Sequence, residues 1–266
     1  MSAPLLSVII AVYERDDFLE RVFLSLVNQT LQDFEIVVAD DGSGPQIADL
    51  IGEYAPRFKH PIRHAWHEDN GFQKTIIVNR AAMQTSASYL VFIDGDCILH
   101  HRFLERHYKR RSPRQVLSGR RVMFDEALTQ TVTLDDVTAR VVEKVSYWWR
   151  HAGQIDRWNG LYVPFLHGLR NIGRKNYQIL GSNFSVHKDD FVAVNGYDER
   201  IIGRGLEDNN LWVRFVNSGV AVRTITREAL QYHLYHSADA IPHSEEFIEQ
   251  YRASKETRTP YGIIKD

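Results

Sequence analysis

Four groups of side chains in this 266-residue chain are of types that do chemistry in combination. Asp94-Gly95-Asp96 sets two carboxylates around a glycine. Carboxylate oxygens are hard ligands that suit Mg²⁺ or Mn²⁺, and the glycine lets a ligand approach the backbone. An ion there would neutralise a diphosphate and stabilise it as a leaving group. Asp40-Asp41-Gly42-Ser43 is a second acidic turn, able to accept a hydrogen bond from a ribose hydroxyl or a base N–H. Gly203-Arg204-Gly205-Leu206-Glu207-Asp208 runs from a glycine-flanked turn into a helical pattern. Acids in a first helical turn stay ionised beside the positive helix end. Facing a hydroxyl, such a carboxylate is a general base, typically worth about 10²–10⁴ in rate. Tyr232-His233-Leu234-Tyr235-His236 holds two histidines three residues apart, either of which could ligate the ion.

Each group alone has a plainer reading. Acidic Gly-containing turns, acids at a helix start and tyrosine-flanked structural histidines are all common. The elements that must position them give the groups their joint weight. Leu6–Val12 is a short, β-branched apolar run that suits a strand buried on both faces. Asp16 or Asp17 is expected to cap a helix carrying Phe18, Leu19, Val22, Phe23, Leu26 and Val27. Phe34–Ala39 reads as a second strand ending in Asp40-Asp41, and Ile47–Tyr54 as a helix. A weak strand near Ile62–His64, a helix over Lys74–Met83 and a strand over Tyr89–Ile93 follow, the last ending in Asp94-Gly95-Asp96. Strand–helix alternation of this kind predicts a mostly parallel sheet with helices on both faces, and ligands collect at the carboxyl ends of such strands. Both acidic turns sit at carboxyl ends.

The second half is less regular. Gly181–Val186 and Val220–Ile225 read as strands, Glu207–Asn217 as a helix and Glu245–Lys255 as a surface helix. The basic stretch 102–121 could face anionic lipid or a phosphorylated acceptor, though such runs are more often solvated helix faces. Trp148, Trp149 and Trp158 could stack on sugar rings, though tryptophans more often pack in cores. With 44% apolar residues the chain can bury a sizeable core, which excludes wholesale disorder. A net charge of −2 argues against nucleic-acid binding. One cysteine, Cys97, excludes an internal disulfide and a four-cysteine zinc site, and a reducing, cytoplasmic setting fits. The N-terminal apolar run is far shorter than the roughly 20 residues of a spanning helix, so membrane contact is expected only at the periphery.

Taken in order, these motifs resemble a known family. Ser7–Arg15, Ser25–Thr30 and Asp33–Ser43 resemble the start of family 2 glycosyltransferases with the GT-A fold. Asn70–Lys74, Asn79-Arg80-Ala81 and Phe92–Ile98 are similar to the bacterial branch that includes chondroitin-polymerase-type transferases. Gly181-Ser182-Asn183, Asn195–Glu199 and Gly203–Asp208 resemble a C-terminal galactosyltransferase-type motif. The likeness spans roughly residues 5–240.

The resemblance implies an α/β GT-A unit. Residues 1–100 would bind the nucleotide sugar, and an irregular α+β part, 101–266, would bind acceptor and carry catalysis. Ala11, Tyr13, Glu14 and Asp41 would surround the uridine, with Lys74 and Arg80 near the nucleotide. Asp94 and Gly95 would approach the ribose and ion. Asp96 would ligate Mn²⁺ or Mg²⁺, completed by His233 with His236 as the alternative. Asn183 and Glu207 would line the sugar pockets and Asp208 would be the base. The reaction implied is inverting transfer from a UDP-sugar of Gal, GalNAc, GlcNAc or GlcA type to a saccharide or lipid-linked acceptor in bacterial polysaccharide or lipopolysaccharide synthesis.

Two departures stand out. Ala11 replaces the usual Pro or Thr, and Arg204 replaces the tryptophan of Gly-Trp-Gly. A cation there suggests an acceptor bearing a carboxylate or phosphate, or a different stacking residue supplied from 148–158. The competing readings are a nucleotidyltransferase and a carbohydrate-binding protein without catalysis. Against the first, residues 11–17 offer only Arg15 and no glycine-rich basic loop; against the second, Asp94, Asp96, Glu207 and Asp208 are all intact.

Overall fold

Alternating faces of one sheet organise the molecule. The computed structural model describes residues 3–156, 162, 178–202, 205–237 and 253–265. Strands are β1 Leu6–Val12, β2 Phe34–Asp40, β3 Ile62–Trp66, β4 Tyr89–Asp94, β5 Cys97–Leu99, β6 Gln115–Ser118, β7 Arg120–Met123, β8 Asn183–His187, β9 Ala221–Thr224 and β10 Leu230–His233. Helices are α1 Asp16–Val27, α2 Pro45–Tyr54, α3 Lys74–Gln84, α4 Phe103–Arg110, α5 Glu126–Thr131, α6 Leu134–Thr138, α7 Val145–Arg150, α8 Lys188–Ala193 and α9 Leu206–Asn217. Most of the helix expected over Glu245–Lys255 lies outside the described residues, as do Trp158, Gly203 and Arg204.

Seven strands form one sheet in the order β3-β2-β1-β4-β8-β6-β9. The pairs β3–β2, β2–β1, β1–β4 and β6–β9 are parallel, whereas β8 runs antiparallel to both β4 and β6. The sheet is therefore mostly parallel, with one reversed strand in the second half. It also crosses residue 100, because β4 of the first half pairs with β8 of the second. Successive side chains on a strand face opposite ways. Val8, Ile10, Val38, Val91 and Ile93 pack with α1 and α2, while Ile9, Val37, Leu90 and Phe92 pack with α3, α8 and α9. Both faces are covered, which is why the strands read as continuous apolar runs rather than alternating ones. Phe92 stacks on Phe184 with ring centroids 4.3 Å apart, fixing β4 against β8.

A second sheet, β5-β10-β7, stands beside the first. Cys97 pairs with His233 across β5 and β10. This small sheet joins the end of the Asp94-Gly95-Asp96 turn to the histidine-bearing strand.

At α1 the expected cap is displaced by one residue. Arg15 takes the cap position with no side-chain cap bond, and Asp16 and Asp17 stand inside the first turn. The reason is local. Arg15 N–H donates to Tyr13 C=O and Asp16 N–H to Glu14 C=O, at 2.8 and 2.7 Å, so two consecutive three-residue turns precede the helix. The first centres on Glu14 at φ 63°, a conformation that costs a non-glycine residue backbone strain. No helix among the described residues is long and apolar enough to cross a membrane.

Candidate functional site

Strand order reverses at β1, whose neighbours are β2 on one side and β4 on the other. Such a reversal opens a crevice at the strands' carboxyl ends. Ala11 of β1 and Asp94 of β4 stand opposite each other there. A small pocket follows, floored by Ile9, Val78, Phe92 and Ile93 and rimmed by Ala11, Lys74, Asp94, Gly181 and Tyr197. Gly95 N–H donates to Ala11 C=O at 2.8 Å, and a Cβ on Gly95 would lie 3.2 Å from that oxygen. The glycine thus permits the tight passage of the chain beneath the crevice.

One side of the pocket gathers acids around a single ammonium. Lys74, at the start of α3, donates to Asp94 Oδ1 at 2.6 Å. Glu207 and Asp208 open α9. Asp208 accepts the Gly181 N–H at 2.7 Å and the Tyr197 hydroxyl at 3.2 Å, so each carboxylate oxygen has one donor. A Cβ on Gly181 would fall on the Asp208 carboxylate, well inside van der Waals contact, so any larger residue there must displace that carboxylate. Tyr197 is held in turn by Asn79 of α3, whose amide bonds both its N–H, at 2.8 Å, and its C=O, at 2.9 Å. Burial raises Glu207 to about 7, reinforced by the Asp208 charge. Burial also raises Asp208, against the pull of Lys74 and the Gly181 hydrogen bond. Burial works against the Lys74 ammonium, yet Asp94, Asp208 and Glu207 outweigh it and its pKa rises.

Two residues beyond Asp94 the chemistry inverts. Asp96 Oδ2 lies 3.0 Å from His236 Nε2 and 3.3 Å from His233 Nε2. Burial opposes ionisation of Asp96, but hydrogen bonds from His233 and His236 hold it well below the usual carboxylate range. These three ligand atoms lie within 4.8 Å of one another. His236 Nδ1 lies 3.2 Å from the Ser237 carbonyl, so both of its ring nitrogens face oxygen acceptors. Asp96 Oδ2 is thus met by one nitrogen from each imidazole. His233 Nδ1 is buried with no hydrogen-bond partner among the described residues, leaving Nε2 as its working atom. The residues therefore fit a divalent cation. With two imidazoles the set favours a transition ion such as Mn²⁺ over Mg²⁺, which prefers oxygen ligands.

A second ligand-type group, His100, His101 and Glu143, does not pass the same test. His100 Nδ1 accepts the Arg102 N–H, so its proton sits on Nε2, toward Glu143. Arg102, Arg106 and Arg140 add repulsion, holding His100 neutral with burial as the main cause and its pKa near 3. This is a hydrogen-bonded structural cluster.

At the outer end of the crevice, Asp41 is buried and bonded to His67 Nε2 at 2.8 Å and the Gln73 N–H at 3.0 Å. Burial raises its pKa. Tyr13 stands exposed, donating to Asp69 at 3.0 Å, and Glu14 reaches Gln46. The structure thus brings Ala11, Lys74, Asp94, Gly95, Glu207 and Asp208 to one crevice, with Asp96, His233 and His236 adjoining.

Other predicted residues stand elsewhere. Asn183 is fully buried; its amide donates to the Arg120 and Ala229 carbonyls and its oxygen meets His107 Nε2. Its amide is committed to joining strands, not to lining a sugar pocket. Arg80 is exposed, six residues along α3 from Lys74, about 240° round the helix and so off the crevice face. Trp148 is buried against Tyr232 and donates to the Val142 carbonyl, so it is core. Trp149 is exposed. Tyr197, His67 and Gly181 carry roles that residue type alone did not suggest. The signal for two of them was their place in the Gly181–Asn183 and Asn195–Glu199 motifs.

Comparison with known proteins fits this geometry. Residues 7–176 match the family described as Glycosyl transferase family 2, and residues 169–237 that described as N-terminal domain of galactosyltransferase. Validoxylamine A glucosyltransferase of Streptomyces hygroscopicus subsp. limoneus is 28% identical over 235 residues, 85% of this chain and 51% of the relative. Chondroitin synthase of Escherichia coli is 23% identical over 249 residues, 86% of this chain and 34% of the relative. The chain thus spans about half the length, or less, of these relatives. The mannosyltransferase PcManGT from Pyrobaculum calidifontis, in complex with GDP-Man and Mn²⁺, has a TM-score of 0.57 at 13% identity, covering 88% of this chain and 58% of its own. S. aureus TarS has a TM-score of 0.56 at 14% identity, covering 86% and 36%. The fold shared with these structures is GT-A.

Proposed function

The chain belongs to glycosyl transferase family 2, and on that premise we propose that it transfers a sugar from a UDP-sugar to a saccharide hydroxyl with inversion. The observation that carries the reading is the split of one short turn. Asp94 faces Lys74 and the Asp208 pocket, while Asp96 faces two imidazoles. This split supports reading a proton acceptor and a cation site on one crevice, an arrangement suited to direct displacement at an anomeric carbon.

Uridine would lie toward Asp41 and Tyr13, with the ribose near Asp94 and Gly95. Asp96, His233 and His236 would hold Mn²⁺, which supplies charge neutralisation to the diphosphate as it leaves. Gly181 N–H and Tyr197 O–H fix the Asp208 carboxylate so that it faces the acceptor hydroxyl. Asp208 takes the hydroxyl proton as the oxygen bonds to the anomeric carbon, and the bond to UDP breaks on the opposite face. A carboxylate pKa raised toward working pH makes a better base than an ordinary one. Glu207 would bind an acceptor hydroxyl beside it, and Arg204 an acidic group on the acceptor. A polysaccharide or lipid-linked acceptor of bacterial surface synthesis, approached from the cytoplasmic side, fits this set.

A thermal-shift panel tests the reading, using UDP-Gal, UDP-GalNAc, UDP-GlcNAc, UDP-GlcA and GDP-Man, each with and without Mn²⁺. A UDP-sugar with Mn²⁺ should raise Tm, since ligand at 100 times Kd adds about 2.7 kcal/mol of stability. Asp208→Asn should keep that shift and lose transfer. Transfer by Asp208→Asn at the parent rate would sink the base assignment, and a shift with GDP-Man alone would sink the UDP assignment.

A further inference from the structure

Asp96 divides its two oxygens between different partners. Oδ2 serves His233 and His236, whereas Oδ1 accepts the Cys97 S–H at 3.1 Å. Cys97 is fully buried and stands in register with His233 across β5 and β10. Its sulfur accepts a hydrogen bond from Gln231 Nε2 at 3.4 Å, and the same Nε2 lies 3.1 Å from Ser182 Oγ. The thiol is therefore oriented from behind, with its proton aimed at Asp96. The Asp96 carbonyl is tied as well, accepting the Leu234 N–H at 2.9 Å. Main chain and side chain of Asp96 are both fixed to the small sheet that carries His233.

A carboxylate can rotate to offer a cation one oxygen or both. Engaging Oδ1 leaves Oδ2 as the oxygen presented to the imidazoles. We propose that Cys97 is a positioning residue of the cation site, holding Asp96 as a one-oxygen ligand beside His233 and His236. The proposal rests on the reading that these three residues bind a divalent cation. Hydrogen-bonding partners behind metal ligands commonly set affinity by about 10–100-fold.

The test is Mn²⁺ titration of the full chain, followed by loss of the free-ion EPR signal, for the parent, Asp96→Ala, Cys97→Ser, Cys97→Ala and Cys97→Val. Melting in chelator, without metal, checks that each variant is folded. Cys97→Ser keeps a donor and should bind within about threefold of the parent, whereas Cys97→Ala and Cys97→Val should bind about tenfold more weakly. Valine fills the space without donating, so parent-like affinity in Cys97→Val would reduce Cys97 to packing and overturn the proposal. Equal weakening in Cys97→Ser and Cys97→Ala would overturn it too. Should Asp96→Ala abolish binding while every Cys97 variant binds as the parent does, only the role of Cys97 falls. Should the parent bind no Mn²⁺, or bind it unchanged in Asp96→Ala, the cation-site reading itself falls.

Discussion

Asp96 and Asp208 are the same residue type in neighbouring pockets, tuned in opposite directions. Both are desolvated, which disfavours a bare carboxylate. At Asp96, two imidazoles and a thiol reverse that penalty, and the group is held ionised. At Asp208, one lysine is shared among Asp94, Glu207 and Asp208, which cannot neutralise all three, and the proton affinity stays raised. The difference teaches what each pocket is suited to hold. An acid kept ionised between two imidazoles suits a permanent cation. A carboxylate with raised proton affinity suits a proton that must be taken and released.

The sharpest way to break the contrast is to exchange its readouts. Asp96→Ala should abolish the Mn²⁺-dependent rise in Tm, while Asp208→Asn should leave that rise intact and cut kcat by about 10²–10⁴, the worth of a positioned base. Comparable loss of metal binding in both variants would mean the pockets act as one.

Next in size is Gly181→Ala. The added methyl meets the Asp208 carboxylate, so kcat should fall about 100-fold through misplacement. Mn²⁺ affinity at Asp96 should not change. An active alanine variant would show that Asp208 can move freely.

Lys74→Met tests the shared cation. Its removal takes away the charge that pulls Glu207 and Asp208 down, so the pKa values of those two carboxylates should rise further. The acid limb of kcat/KM should then move to higher pH, by about one unit or more. A shift to lower pH, or none, would remove Lys74 from the tuning.

The smallest effect concerns stability. Folded Glu207 keeps its proton to about 7, whereas the unfolded residue releases it near 4.5. In that window the folded state binds more protons, so its stability falls as pH rises. Denaturant melts of Glu207→Gln between pH 4.5 and 7 should show a shallower decline than the parent. An unchanged slope would mean that Glu207 titrates normally.

How much of this was legible beforehand depended on range. Buried strands such as β1 and β4 announce themselves by unbroken apolar runs, and their parallel pairing follows from the helices between them. Asp94 and Asp96 were legible because they end such a strand. Asn183 misled because its motif lies close to the crevice, whereas its side chain faces the seam between strands. Trp148 follows the commoner reading of a tryptophan, being taken up by the core rather than left to stack on sugars. Tyr197 was marked only by its motif and Cys97 not at all as a site residue, since their roles depend on Asn79, Asp208 and Gln231 arriving from distant parts of the chain. The one-residue error at the start of α1 came from the double turn around Glu14, where backbone bonding overrides the capping habit of aspartate.

The pairing of β5 with β10 has a consequence for how the protein is made. The residues proposed to hold a cation come from positions up to 140 residues apart. Until the later strand has docked, Asp96 is alone, and one carboxylate grips an ion only weakly. Closing so long a loop is entropically costly, and ion capture helps to offset that cost only once it is closed. On the proposed cation site, metal retention would therefore report on completed assembly of the β5–β10 pair.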